Sequence, residues 1–309
     1  MIGKTNIAVD GKVLSKIAFG THKFNLSKLK ECSVILDEYF ENGGNIIDTA
    51  RCYGNGESEK CIGEWLAASG ARDHTVLITK GCNPNFTDGK YRSRITPDDL
   101  ESDITQSLEA LKSDYIDVYF LHKDDNNLEP AEAIEMLNKY VKMGIIRHIG
   151  ASNWSTSRIS KANEYAKKHN LKPFEYSQLA FSLKDRSTGS WGPKELALEM
   201  NKADFEWYRD NDLPVFGFNS QAYGFFYNDI TGDVSDINRR IHTLLRDISF
   251  NRGISIQKAL FGFYFGCGIT NIPIATTQNI DRLRELINNC NTSLDESDVR
   301  DLLTIRFQN

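Results

Sequence analysis

The chain has 309 residues, a net charge of −5 and an isoelectric point near 5.8. This length carries a sizeable core, and a (β/α)8 barrel takes about 250 residues. An acidic balance with no basic stripe argues against nucleic acid or an anionic membrane surface as partner, and no apolar run reaches the ~18 residues of a bilayer span.

Residues 2–15 read as a hairpin turning at Asp10-Gly11, placed to cap a barrel floor. Short runs rich in Val, Ile and Phe then alternate with stretches of helical period. In chain order these predict strand 16–20, helix 28–42, strand 45–50, helix 57–69, strand 75–81, helix 97–112, strand 115–122 and helix 130–143. The alternation continues with strand 145–151, helix 155–169, strand 174–180, helix 193–211, strand 213–219, helices 236–251 and 255–265, strand 270–275 and helix 279–289. Pro97 and Pro130 fall in first helical turns, and Gly70 and Gly144 near helix ends. An amphipathic tail over 290–309, with Leu294, Val299, Leu302 and Leu303, is expected to pack outside the barrel.

Strict alternation also fits an open doubly wound sheet. Eight units fill the length without remainder, and no GxGxxG follows the first strand, so one closed α/β barrel over residues 1–309 is the expectation. The six cysteines (Cys32, Cys52, Cys61, Cys82, Cys267 and Cys290) have no CxxC spacing, and the six histidines include no His-x-His. They read as reduced thiols in a cytoplasmic protein without a metal site. Cys52, beside Tyr53, is expected to be an unreactive thiol.

Asp48, Tyr53, Lys80 and His122 follow three successive strands at their carboxyl ends, where barrel active sites are built. Singly, each has a plain reading: a turn cap, a loop aromatic, a solvated charge, a structural histidine. Jointly they form a set that protonates a carbonyl oxygen while a hydride arrives at its carbon. A phenol holds its proton at neutral pH, and a neighbouring ammonium eases its release. Lys80 is placed to do this, Asp48 to fix Lys80, and His122 to donate to the same oxygen.

The stretches Asp48-Thr49-Ala50, Tyr53-Gly54 with Glu57, Ile78-Thr79-Lys80 and Leu121-His122 resemble the signatures of the aldo-keto reductase superfamily. Ala18-Phe19-Gly20-Thr21 is similar to its first strand and turn. The resemblance covers nearly the whole chain. It implies reduction of an aldehyde or ketone with Tyr53 as general acid, Asp48 and Lys80 tuning it and His122 orienting the carbonyl. It also implies a nicotinamide cofactor stretched across the barrel mouth, NADPH in preference to NADH. Gly20, Thr21 and Asp48 would border it, Ser152, Asn153 and Gln178 would hold the carboxamide, and Phe218 would stack on the nicotinamide.

Family stretches often run Ser-Pro-Leu after that aromatic; here Asn219, Ser220 and Gln221 stand in the pyrophosphate loop. Ile274, Ala275, Thr276, Thr277 and Gln278, with Arg282 and Glu285, resemble the adenosine-phosphate turn. Some members have Lys where Ile274 stands, and Arg282 with Thr277 and Gln278 would take the 2′-phosphate instead. The substrate edge would comprise His22, Phe24, Tyr53, Phe86, His122 and Trp154. Lys123-Asp124-Asp125 would sit nearby, making a pocket suited to a polar, hydroxylated carbonyl compound. The competing expectation is a nucleotide-binding partner subunit with little catalysis. Nothing in the sequence sets the oligomeric state.

Overall fold

The computed structural model describes residues 1–87, 90–185 and 197–308, with the side chains of 86, 87, 90 and 91 left aside. The chain opens on an antiparallel hairpin of β1 (Lys4–Val9) and β2 (Lys12–Ser15). Its two turn residues, Asp10 (φ 46°) and Gly11 (φ 79°), are both left-handed, as a tight two-residue hairpin turn requires. Val9 and Leu14 on the hairpin are fully buried against the interior residues of the barrel. The expected floor cap is therefore present. Lys12 locks it by donating to the carboxylate of Asp117 and the carbonyl of Thr75, while Arg72 pairs with the same carboxylate at 2.8 Å.

The strands β3 (Ala18–Gly20), β4 (Ile46–Asp48) and β5 (Val76–Gly81) begin the barrel. A small antiparallel pair, β6 (Asn85–Thr87) and β7 (Lys90–Arg92), stands apart from it. The barrel continues with β8 (Ile116–Leu121), β9 (Ile146–Ser152), β10 (Tyr176–Ala180), β11 (Val215–Phe218) and β12 (Asn271–Ala275), and β12 pairs with β3 to close it. All eight strands run parallel, giving a (β/α)8 barrel.

The crossovers are α1 (Leu29–Glu41), α2 (Glu57–Ser69), α3 (Pro97–Leu111), α4 (Pro130–Lys142), α5 (Thr156–Lys168), α6 (Lys202–Asn211), the pair α7 (Asp236–Arg252) and α8 (Ile256–Gly266), and α9 (Ile280–Asn289). Capping sets several starts: Thr96, Ser155, Ser235, Ser255 and Asn279 each accept a backbone N–H of the first turn. The helix expected over 193–211 begins at Lys202. Asn201 and Asp204 form a reciprocal capping box there, so the helix cannot extend back through residue 201. The tail forms α10 (Glu296–Arg306), which rests on α7 and α8 with Val299 and Leu302 inward.

Side chains alternate faces along each strand. Ile46, Val76, Ile78, Val118, Phe120, Tyr176, Phe216 and Ile272 point inward and fill the barrel. Phe120 occupies that interior because β9 offers Gly150, where a Cβ would come within 2.4 Å of the ring. Two residues beyond the inward set, on the same faces and at the open end, stand Asp48, Lys80, His122, Gln178 and Phe218. The period of two thus delivers all five to one mouth.

Candidate active site

Lys80 is fully buried at the centre of this mouth. Its Nζ donates to the Thr49 carbonyl at 2.6 Å, to the Asp48 carboxylate at 3.0 Å and to the Tyr53 hydroxyl at 3.3 Å. Asp48 also accepts from Gln178 Nε2 at 2.8 Å, a bond across the barrel between residues 130 positions apart. The His122 ring stands edge-on to Tyr53, with centroids 5.8 Å apart. The four residues expected to converge do so.

Tyr53 opens a short turn, Tyr53–Gly56, in which Gly54, Asn55 and Gly56 all have positive φ. Gly56 suits this turn because its φ of 91° would strain any other residue, and a Cβ there would also displace the Arg51 guanidinium, 2.1 Å away. Arg51 is itself held by Glu59 at 2.6 Å, and Glu59 accepts from Thr79 on β5 at 2.6 Å. Glu57, two positions earlier, pairs only with the surface residue Lys60 at 3.0 Å among the described residues. The buried Glu59 is the residue that clamps the Tyr53 turn to the strand bearing Lys80. Ser58 adds a second clamp, bonding Thr21 and Thr49.

The expected pull of Lys80 on the phenol is present but outweighed. Burial pushes the Tyr53 phenol up to about 12, more than Lys80 draws it down. For Lys80, burial opposes the charge, but Asp48 and Tyr53 together outweigh it and raise the ammonium's pKa. Burial, reinforced by Lys80 and Lys123, holds His122 well below the usual imidazole range, so the ring is neutral. His22 is lowered likewise, by burial and then by Lys23. Cys52, raised by burial, keeps its proton and lies 3.5 Å from His122 Nδ1. Sequence reasoning misses a role for this thiol, because its neighbour in space is 70 positions away in the chain and leaves no local signal.

Around the tetrad lies a cavity of about 520 Å³. Gly20, Thr21, Ser152, Asn153, Gln178, Phe218, Asn219, Ser220, Gln221, Ile274 and Thr276 line it, as do His22, Asp48, Tyr53 and His122. A side chain at Gly20 would meet Thr276 Oγ1 at 2.5 Å, so the glycine keeps that rim open. Asn153, at φ 59°, donates to the His122 carbonyl and accepts from Leu198 N, tying the two walls together. Gln221 is bonded by Tyr227 and Gln257, and Ser220 donates to the Ile274 carbonyl.

Other expected residues lie off the cavity wall. Ala275 is buried in β12 beside it. Thr277 turns back on Asn279, and Gln278 donates to the Lys23 carbonyl. Arg282 and Glu285 are exposed on α9, and among the described residues the Arg282 guanidinium has no ion-pair partner. Phe24 is buried against Phe19, and Trp154 against Phe174. Both support the rim from beneath rather than facing a ligand, because each aromatic completes the packing between strand and helix layers. Phe86 lies in β6, with its side chain outside the described residues. Asp124 is taken by Arg158 at 2.7 Å, and neither it nor Asp125 lines the cavity, so the acidic edge expected there is absent.

The model of the aldo/keto reductase family matches residues 16–306. The chain belongs to that family. Norsolorinic acid reductase B of Aspergillus parasiticus is 27% identical over 297 residues, covering 87% of this chain and 75% of that protein. An aryl-alcohol dehydrogenase of Pestalotiopsis microspora is 35% identical over 156 residues, 49% of this chain and 41% of its own length. An aldo-keto reductase from Bacillus halodurans in its holo form superposes with a TM-score of 0.77 at 21% identity, covering 99% and 96% of the two chains. One from Klebsiella pneumoniae, in complex with NADP and acetate, gives 0.71 at 21% identity, covering 100% and 97%. The structural likeness establishes the shared fold, and the family supports carbonyl oxidoreduction as the general chemistry.

Proposed function

We propose that this aldo/keto reductase reduces the carbonyl of an aldehyde or ketone to an alcohol, with NADPH as cofactor in preference to NADH. The observation that carries the reading is the contact of the Tyr53 hydroxyl with Lys80 Nζ at 3.3 Å, inside a cavity that His122 also faces. A scaffold that only bound a nucleotide would have no use for a buried ammonium against a phenol.

The residues present fit a nicotinamide nucleotide. Ser152, Asn153 and Gln178 form a row of amides and a hydroxyl along one wall, and Phe218 offers a flat ring beside them. Thr276 and the start of α9 supply donors beyond, and Arg282 is the cation for a 2′-phosphate. When bound, the cofactor supplies the hydride.

The chain's own groups do the rest. His122, neutral, donates from Nε2 to the substrate oxygen and sets its position. Tyr53 gives that oxygen its proton, and the Lys80 ammonium stabilises the phenolate left behind. Asp48, shared by Lys80 and Gln178, holds the ammonium in place. Fixed donors around the developing negative charge lower the barrier without reorganising.

Replacing Tyr53 with Phe keeps the ring and removes the proton. Turnover is expected to fall roughly 100-fold or more, on the order of general-acid contributions, with NADPH affinity, followed by fluorescence titration, nearly unchanged. Near-normal turnover by Tyr53→Phe would remove the proposed acid.

A further inference from the structure

Lys123, Asp124 and Asp125 follow the catalytic histidine in the chain, two carboxylates beside one ammonium. The fold separates them. Arg158 on α5 draws Asp124 away at 2.7 Å and also donates to the carbonyls of Asp125 and Leu128 at 2.8 and 2.7 Å. Trp154 Nε1 donates to the Lys123 carbonyl at 3.2 Å, pinning that residue's backbone from below. Lys123 is left lining the cavity next to His122, half-buried, with no carboxylate partner among the described residues.

Desolvation, the larger cause, and Lys80 lower this ammonium to about 8. An unpaired, partly desolvated cation is unfavourable on its own, and its natural complement is an anion from outside the chain. Asp48 is the one acid on the cavity wall among the described residues, and Lys80 and Gln178 already occupy it. The other lysine on the wall, Lys23, has its carbonyl bonded by Gln278, on the side assigned above to the dinucleotide. Lys123 stands with Cys52, Tyr53 and His122, on the substrate side.

We propose that Lys123 anchors a carboxylate on the substrate, so that the compound reduced at Tyr53 is an aldehyde or ketone bearing a carboxylic acid. A single ammonium on this side matches a monoanion, whereas a phosphate dianion calls for a second cation or a row of free backbone amides. The substrate class rests on the reductase reading; the anion site does not.

The test pairs 4-carboxybenzaldehyde with its methyl ester, the same ring and carbonyl without the charge, on wild-type enzyme and on Lys123→Met and Lys123→Arg. Wild type is expected to favour the acid over the ester in kcat/KM by about tenfold. Lys123→Met abolishes that ratio through KM, and Lys123→Arg restores most of it. An acid-to-ester ratio equal in wild type and Lys123→Met overturns the proposal.

A binding measurement needs no turnover: calorimetry of 4-(hydroxymethyl)benzoate on NADP-loaded enzyme. The expected result is about tenfold weaker binding to Lys123→Met at an unchanged melting temperature; equal affinity overturns the proposal. If neither aldehyde is reduced yet the benzoate binds through Lys123, the anion site stands and the reductase reading falls. Tighter binding of 4-formylphenyl phosphate than of the carboxylate would overturn the choice of carboxylate.

Discussion

The Cys52 thiol lies 3.5 Å from Nδ1 of His122. With the thiol protonated and the imidazole neutral, we expect the sulfur to donate and Nδ1 to accept, the arrangement in which the ring's one proton sits on Nε2. That is the tautomer a carbonyl oxygen needs. Cys52→Ser keeps a donor at this position and is expected to retain most activity. Cys52→Val removes it, and loss of one hydrogen bond of about 1 kcal/mol corresponds to a roughly fivefold lower kcat/KM. Nitrogen-15 shifts of His122 read the tautomer directly; a valine variant with wild-type shifts and wild-type kcat/KM would show that the sulfur orients nothing.

Lys80→Met leaves the Asp48 carboxylate buried, with Gln178 as its remaining donor. Removing one partner of a buried ion pair costs about 3–5 kcal/mol. Urea unfolding at pH 7 is expected to show a loss of that size together with loss of turnover. A destabilisation under about 1 kcal/mol would mean that solvent enters the mouth and screens the pair.

Two ionisations separate along the alkaline side. Tyr53, pushed up to about 12, remains a proton donor throughout the working range, so turnover of a neutral aldehyde should not decline between about pH 7 and pH 10. Lys123, lowered to about 8, is charged below that pH and neutral above it. A carboxylate substrate's KM should therefore rise once pH passes about 8, while the ester's stays flat. The facing groups Lys80, Cys52 and His122 do not reproduce this difference, because Lys80 and Cys52 are raised above their ordinary values and His122 is lowered, so none of them changes charge near pH 8. Identical pH profiles for acid and ester would contradict the assignment.

On the acid side, His122 is held neutral in the fold well below its ordinary value. The unfolded chain takes up a proton near pH 6.5 that the folded chain refuses, so stability falls as pH drops below about 6.5. The limiting slope for one such group is about 1.4 kcal/mol per pH unit. His22 is shifted in the same direction and adds to it. Comparing wild type with His122→Asn by urea unfolding at pH 7.5 and 5.5 isolates this contribution, since the carboxylates are common to both. The variant should lose less stability on acidification, and equal losses would place a charged imidazole in the native pocket.

Much of this site is legible in the sequence because strands alternate. Asp48 shares parity with Ile46, Lys80 with Ile78, His122 with Phe120 and Gln178 with Tyr176, so the apolar pattern of each strand already points its last polar residue into the barrel. What the sequence hides depends on contacts between distant segments. Glu57 and Glu59 are two positions apart, and only the closeness of β5 shows which one is buried. Asp124 looks available until Arg158 is found 2.7 Å away. Phe24 and Trp154 fall on loops that should face solvent, yet Phe19 and Phe174 wait beneath them. The start of α6 is hard to place because the helical period continues upstream, while the capping box at Asn201 ends it.

The hairpin β1–β2 stoppers the far end of the barrel, with Val9 and Leu14 pressed onto the filled interior and Lys12 tethered to Asp117. Among the described residues no through-route runs along the packed axis, so a visitor to the Tyr53 cavity comes in between the carboxyl ends of the strands. Two ligands sharing one doorway leave in the reverse of the order in which they arrived. If a dinucleotide and a carbonyl compound share that doorway as proposed, the deeper guest is expected to leave last.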